Sequence, residues 1–195
     1  MSGYRHRSMP ARRHARGFTL LETMIAIVIA AILTAIALPS FRELGMRNNA
    51  TTLNNQLVLA MQTARAEAVR RGTWVEVVST NGDKSWGKKG WQVIADVNFD
   101  HIFDTTNDAK NGTITSAAAA QVNYSVCGLA TNATGIAGDS VVVFGPNGTL
   151  VLEDKFELNV NRPDGKSTMI QGITVSKSGE VTSARGTGTG APKSC

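Results

Sequence analysis

A few groups of residues have the types and spacing to do chemistry. Asp96, Asn98 and Asp100 offer side-chain oxygens at alternate positions, as a calcium loop does at its start. Such a loop wants glycine at its sixth position and a bidentate glutamate at its twelfth, and here those are His101 and Asn107. Asp104 and Asp108 would serve only another geometry, so the plainer reading is a solvated, turn-rich acidic loop. Catalysis finds little support. The histidines are His6, His14 and His101, and the first two lie in the basic leader, so no histidine metal cluster or Ser-His-Asp arrangement is expected. Gly165-Lys166-Ser167 has the form of the end of a phosphate-binding loop, but the glycine required five residues earlier is Val160, and a turn accounts for it better. No catalytic residue and no cofactor are expected.

The most unusual single residue is Glu22. The stretch from Phe18 to Leu38 is apolar apart from Thr19, Glu22, Thr23 and Thr34. At about 1.5 Å per residue its 21 residues span roughly 31 Å as a helix, close to the thickness of a bilayer core. The threonine hydroxyls can return hydrogen bonds to helix carbonyls, which leaves Glu22 as the costly member. An ionised carboxylate near the centre of such a helix costs about 2.5–3.5 kcal/mol, and somewhat less near an end. A residue retained at that cost usually has a partner or a task.

The elements that must position these groups follow from pattern. Before the apolar run stand Arg5, Arg7, Arg12, Arg13 and Arg16 with no acid among them, which keeps that end in the cytoplasm and exports the rest. A cleaved secretory signal, with Ala35-Ile36-Ala37 as its small-residue site, shares this layout. The run is longer than the usual signal core of about 7–15 residues, however, and helical spacing resumes beyond Pro39, so a retained helix is the stronger reading. Leu53, Leu57, Met61, Ala64 and Ala68 form one apolar stripe up to about Arg71, and Gly72 suits a C-terminal cap. After Gly72 the period changes to that of strands. Runs at 73–79, 91–97, 121–126, 141–144, 149–153, 155–160 and 169–175 are separated by turn pairs such as Asn81-Gly82, Asn147-Gly148 and Ser178-Gly179. The expected fold class is α+β: a long N-terminal helix, transmembrane and then amphipathic, packed on an antiparallel β-sheet domain.

Gly17-Phe18-Thr19-Leu20-Leu21-Glu22, after a basic leader and before a long apolar helix with Pro39, resembles the class III signal of type IV pilins and type II secretion pseudopilins. That resemblance implies cleavage by prepilin peptidase after Gly17 and N-methylation of Phe18. It also implies pairing of Glu22 with the N-terminal amine of a neighbouring subunit, and a helix-kinking role for Pro39. Two opposite charges attract strongly in a low-dielectric bundle, where Glu22 alone would be penalised. The stretches 53–72, 88–108, 141–150 and 173–181 are similar to the group joining type II secretion protein H with the FimT and FimU minor pilins. The expected organisation is a leader over 1–17, a membrane or filament-core helix over 18–38, its amphipathic continuation over 39–72, and a periplasmic β domain with a C-terminal tail over 73–195. The expected partners are other pilins or pseudopilins, the prepilin peptidase and the inner membrane, with the chain single-pass until assembly.

Export also bears on the cysteines and the charges. Cys127 and Cys195 would meet an oxidising compartment, so a disulfide is the natural reading, with two buried or modified thiols as the alternative. Closing 69 residues, 127 to 195, is worth roughly 4 kcal/mol in the chain-entropy picture and would fasten the glycine-rich tail. FimT-like members of the resembled group look like DNA receptors for natural transformation, so the resemblance carries a DNA-uptake alternative in which Lys177, Arg185 and Lys193 are candidate phosphate contacts. Glu180 follows Gly179, where DNA-binding members tend to have arginine, so the structural role is favoured over DNA binding. The whole chain has 20 Lys and Arg against 15 Asp and Glu; without the five leader arginines the balance is fifteen against fifteen, so global charge is no argument for a nucleic-acid partner. Mass spectrometry of the chain isolated from the cell envelope is expected to show a start at methylated Phe18; a start at Leu38 would mark a cleaved export signal instead.

Overall fold

The computed structural model describes residues 17–80, 86–102, 108–117, 124–134, 139–164 and 170–186. Expectations for the basic leader, the Asn81-Gly82 turn, Asp104, Asn107, Gln121 to Asn123, Gly165 to Ser167, Lys193 and Cys195 fall outside them. The chain divides into two units, residues 1–43 and 44–195. One helix, α1 (Leu20–Arg71), contributes to both.

In the first unit, α1 opens on Thr19, whose hydroxyl accepts the Glu22 backbone N–H at 3.2 Å. Threonine thereby satisfies one of the orphan donors of the first turn, and Glu22 lies where the helix dipole favours a negative charge. Thr23 and Thr34 return their hydroxyls to the carbonyls four residues back, at 3.2 and 2.7 Å, so their polarity is absorbed within the helix. Pro39 has no N–H to give to Ala35, yet the helix continues through it. The most apolar stretch has a mean hydropathy of 2.5, is long enough to cross a membrane, and has no residue buried within the chain.

In the second unit, the rest of α1 lays one stripe against a core: Ala50, Leu53, Leu57, Ala60, Met61, Ala64 and Ala68 are all buried. The helix ends at Gly72, which takes φ +70° and donates its N–H to the Ala68 carbonyl at 2.9 Å. This is the left-handed cap that glycine adopts without a Cβ penalty. Two four-stranded antiparallel sheets follow. Sheet A has the order β3-β2-β1-β5, from β1 (Val75–Ser79), β2 (Trp91–Ala95), β3 (Thr113–Ala117) and β5 (Val141–Phe144). Sheet B has the order β4-β6-β7-β8, from β4 (Ser125–Thr131), β6 (Lys155–Asn161), β7 (Ile170–Ser176) and β8 (Val181–Gly186). Strand alternation is clearest in β6, where Phe156, Leu158 and Val160 are buried while Lys155 and Glu157 pair on the other face at 2.7 Å. Short helices α2 (Trp86–Lys89) and α3 (Asp108–Asn111) complete the unit.

Both sheets and the α1 stripe share one core. Val75, Val77, Val93 and Phe144 come from sheet A, and Phe156, Leu158, Ile173 and Val175 from sheet B. Polar ties fix α1 to sheet B and its turns. Asn54 donates to Ser183 at 2.7 Å, Gln171 to Thr51 at 2.9 Å, and Arg65 Nε to the Gly148 carbonyl at 3.0 Å. The Gly148 and Gly179 turns pack so closely that a Cβ on Gly179 would run into the Gly148 carbonyl, and both residues have positive φ. The expected strand at 149–153 is not one. Leu150 makes only an isolated bridge to Phe144, and the segment's backbone bonds go instead to Lys177, Val143 and Thr134.

Candidate functional site

The N-terminal residues singled out by sequence lie together at the start of α1. Phe18 is 81% exposed, and Glu22 is also exposed, with no salt bridge among the described residues. Gly17 precedes the helix, and a Cβ built on it would meet nothing within 4 Å. The fold of this chain therefore places no demand for glycine at position 17. A requirement for glycine there would have to be imposed by another protein that handles the segment.

The acidic loop differs from its expected form. Residues 98–102 are exposed, as a solvated loop requires, whereas Asp96 and Asp108 are fully buried, so the expectation is corrected at those two carboxyls. Two features hold the loop down. Asp96 accepts backbone N–H groups from Phe99 and His101 at 2.8 and 3.0 Å, and Asp108 accepts that of Val97 at 2.9 Å. Gly112 also closes the segment by donating to Asp108 O at 2.7 Å and accepting from Ala95 at 2.9 Å, in a space where a Cβ would strike the Ala95 carbonyl. His101 supplies the left-handed backbone that glycine usually gives, at φ +62°, and its ring stacks on Trp74 at 4.1 Å. The oxygens that converge are those of Asp96, Asp100 and Asp108, while the Asn98 amide donates to Asp100 at 2.7 Å. The trio of Asp96, Asn98 and Asp100 is thus corrected at its middle member.

The basic candidates do not gather into a described patch. Lys177 lies between β7 and β8, where its ammonium donates to the Glu153 carbonyl at 3.0 Å and lies 3.6 Å from the Asp154 carboxylate. Arg185 is in β8, and Lys193 is outside the described residues. Cys127 is buried in β4, beside Ser125 and Asn161, and its expected partner Cys195 is outside the described residues.

Sequence reasoning missed Glu153. This fully buried carboxyl accepts the Val143 N–H at 3.3 Å, taking the place a neighbouring strand would fill along the β5 edge. Burial is the main cause that pushes its pKa up to about 7, against the lowering effects of the Val143 N–H and Lys177. The signal was the apolar neighbourhood Leu150, Val151 and Leu152, which argues for burial of whatever follows.

An apolar helix with one carboxylate in its first turn, continuing as a striped helix over antiparallel sheets, defines the pilin-like class of minor pilins and pseudopilins. Residues 12–38 match the prokaryotic N-terminal methylation motif, and residues 53–179 match the Type II transport protein GspH family. The chain belongs to that family. Its fold is similar to two crystal structures of the type IV minor pilin FimU of Pseudomonas aeruginosa strain PAO1. The TM-scores are 0.55 and 0.50 at 19% and 20% identity, covering 76% of this chain and 96% and 98% of those chains. Fimbrial proteins of Pseudomonas aeruginosa are 38% identical over 65 residues, which is 33% of this chain; the match spans 40% of their length.

Glu153 gives the fold a pH dependence whose sign follows from its shift. Its folded pKa of about 7 lies above the ordinary 4.5, so the folded state binds more protons between those values. The stabilisation is complete below about pH 4.5 and is lost as pH rises through about 7. The thermal midpoint of the full chain in detergent is expected to fall across this window. Glu153→Gln should reduce that slope; an unchanged slope would show that Glu153 is not its source.

Proposed function

We propose that the chain is cut after Gly17 by a prepilin peptidase, methylated at Phe18, and held in the inner membrane by residues 18–38, with residues 39–195 on the periplasmic side. It then assembles with other pilins or pseudopilins as a minor subunit of a type IV pilus or a type II secretion pseudopilus, in the tip or initiation complex. The observation that carries this reading is the pairing of a methylation motif with an exposed carboxylate in the first turn of α1. Glu22 has its backbone satisfied by Thr19, but no salt bridge joins its carboxylate to a described residue. A second subunit whose new N-terminal amine reaches Glu22 would supply that charge, and Pro39 would ease the fit of the helix in the assembly. In this role the chain works by assembly and carries out no catalysis.

Cys127 is assigned to a disulfide with Cys195. In support, there is no free cysteine among the described residues, and the proposed compartment is oxidising.

Glu22→Ala is expected to leave membrane insertion intact or improve it, while filament incorporation falls at least about tenfold, equivalent to ~1.4 kcal/mol. Quantifying the chain in sheared filament and membrane fractions measures both. Undiminished incorporation would remove the charge pairing from the account.

A further inference from the structure

The strand edges of the two sheets are treated differently. The β5 edge is taken up by residues 151–153: Val151 gives its N–H to the Val143 carbonyl at 3.1 Å, and the Glu153 carboxyl accepts that of Val143. At β4 the Asp139 carboxyl accepts the Ala130 N–H at 3.1 Å. β8 carries Arg185, and its Ser183 is tied to Asn54 of α1. β3, with the sequence Thr-Ile-Thr-Ser-Ala, has no such cover among the described residues. It also lacks the lysine or proline that commonly protects an edge.

Register shows which main-chain groups β3 leaves open. Ala95 gives its N–H to Gly112, whereas Asp96 gives its own to Trp74, beside β1. Odd-numbered residues of β2 therefore turn their main chain towards β3, so Trp91 and Val93 bond with their partners Ala117 and Thr115. Ser116, between those two, turns its N–H and C=O away from β2 to the open edge. The slip in register between Val93 and Ile94 falls before this regular stretch. Thr115 and Ala117 share the α1 side of the sheet with Trp91 and Val93. There they form one wall of a groove of about 670 Å³, whose other wall includes Gln56 and Leu59 of α1. Leu59 is 63% exposed, and no described residue lining the groove is charged.

An edge with open N–H and C=O groups is completed by another extended main chain, and an uncharged groove beside it suits uncharged side chains at alternate positions. Two copies of β3 paired antiparallel would be related by a twofold axis through the sheet, which reverses α1 as well. Chains with opposed helices cannot be anchored side by side in one membrane. We propose that β3 takes an extended, uncharged segment of a different pilin-like subunit as a fifth strand of sheet A. The added strand pairs at Ser116 and fills the groove against Leu59 with its alternate side chains. This docking site rests on the filament reading and gives the β domain its own contact in the assembly.

The test places a photo-reactive residue at the exposed Thr115 of the full chain, in cells that make filaments, and maps the products in sheared filaments by mass spectrometry. A covalent product joining position 115 to a run of uncharged residues in a second kind of subunit is expected. Ser116→Pro removes only an N–H that faces away from the sheet, so its thermal midpoint in detergent should stay close to the parent's while the product falls at least about tenfold. Leu59→Asp, at an exposed helix position, should lower the product as well by putting a charge in the groove. The added strand would be overturned by incorporated chain with no product, by a product on a charged or helical segment, or by one joining two copies of this chain. A product undiminished in either folded variant would overturn it too. All of these would leave the filament reading in place, whereas absence of the chain from filaments would remove both.

Discussion

The buried stripe of α1 is the contact on which the β domain depends. Sheets A and B are each open, with β3 and β5 at the edges of one and β4 and β8 at the edges of the other. They share a core because Leu53, Leu57, Met61 and the alanines between and beyond them meet the inner faces of both. Ala60, Ala64 and Ala68 are buried in that cluster together with the larger Leu57 and Met61. Truncating a fully buried leucine such as Leu57 would cost about 2–5 kcal/mol and loosen both sheets at once.

The same helix changes chemistry along its length. From Leu44 onward it is striped, and its apolar side is used up within the fold. Between Phe18 and Leu38 apolar residues lie on every side, and none of these residues is buried within the chain. A sequence of this kind needs an apolar environment from outside, which in the proposed role is first lipid and then other subunits. Glu22 is the residue least suited to lipid, and the proposed charge-paired bundle would be the setting in which it becomes favourable.

Much of this was legible in residue patterns, for identifiable physical reasons. The helix to Arg71, the Gly72 cap and strands β1, β2, β5, β6 and β7 all rest on strong local signals: helical spacing, a left-handed glycine and runs of β-branched residues. The edge strands β3 (Thr113–Ala117) and β8 (Val181–Gly186) went unread because one side of an edge faces water, so polar residues such as Thr113, Thr115 and Ser116 break the apolar pattern. The run Thr149–Glu153 looked like a strand, yet its backbone partners are scattered over three separate segments. At the acidic loop, side-chain spacing was visible but the burying contacts were not. Backbone N–H groups from Val97, Phe99 and His101 satisfy Asp96 and Asp108, and sequence spacing carries no trace of such donors.

In the proposed assembly the apolar half of α1 ends in a filament, against the N-terminal segment of another subunit. A photo-reactive residue at Ile25, three positions beyond Glu22 and exposed in the isolated chain, tests it in living cells. In sheared filaments a covalent product joining this chain to the first residues of a second pilin-like subunit is expected. Recovery of the probe only as uncoupled chain in the membrane fraction, from cells that make filaments normally, would contradict it.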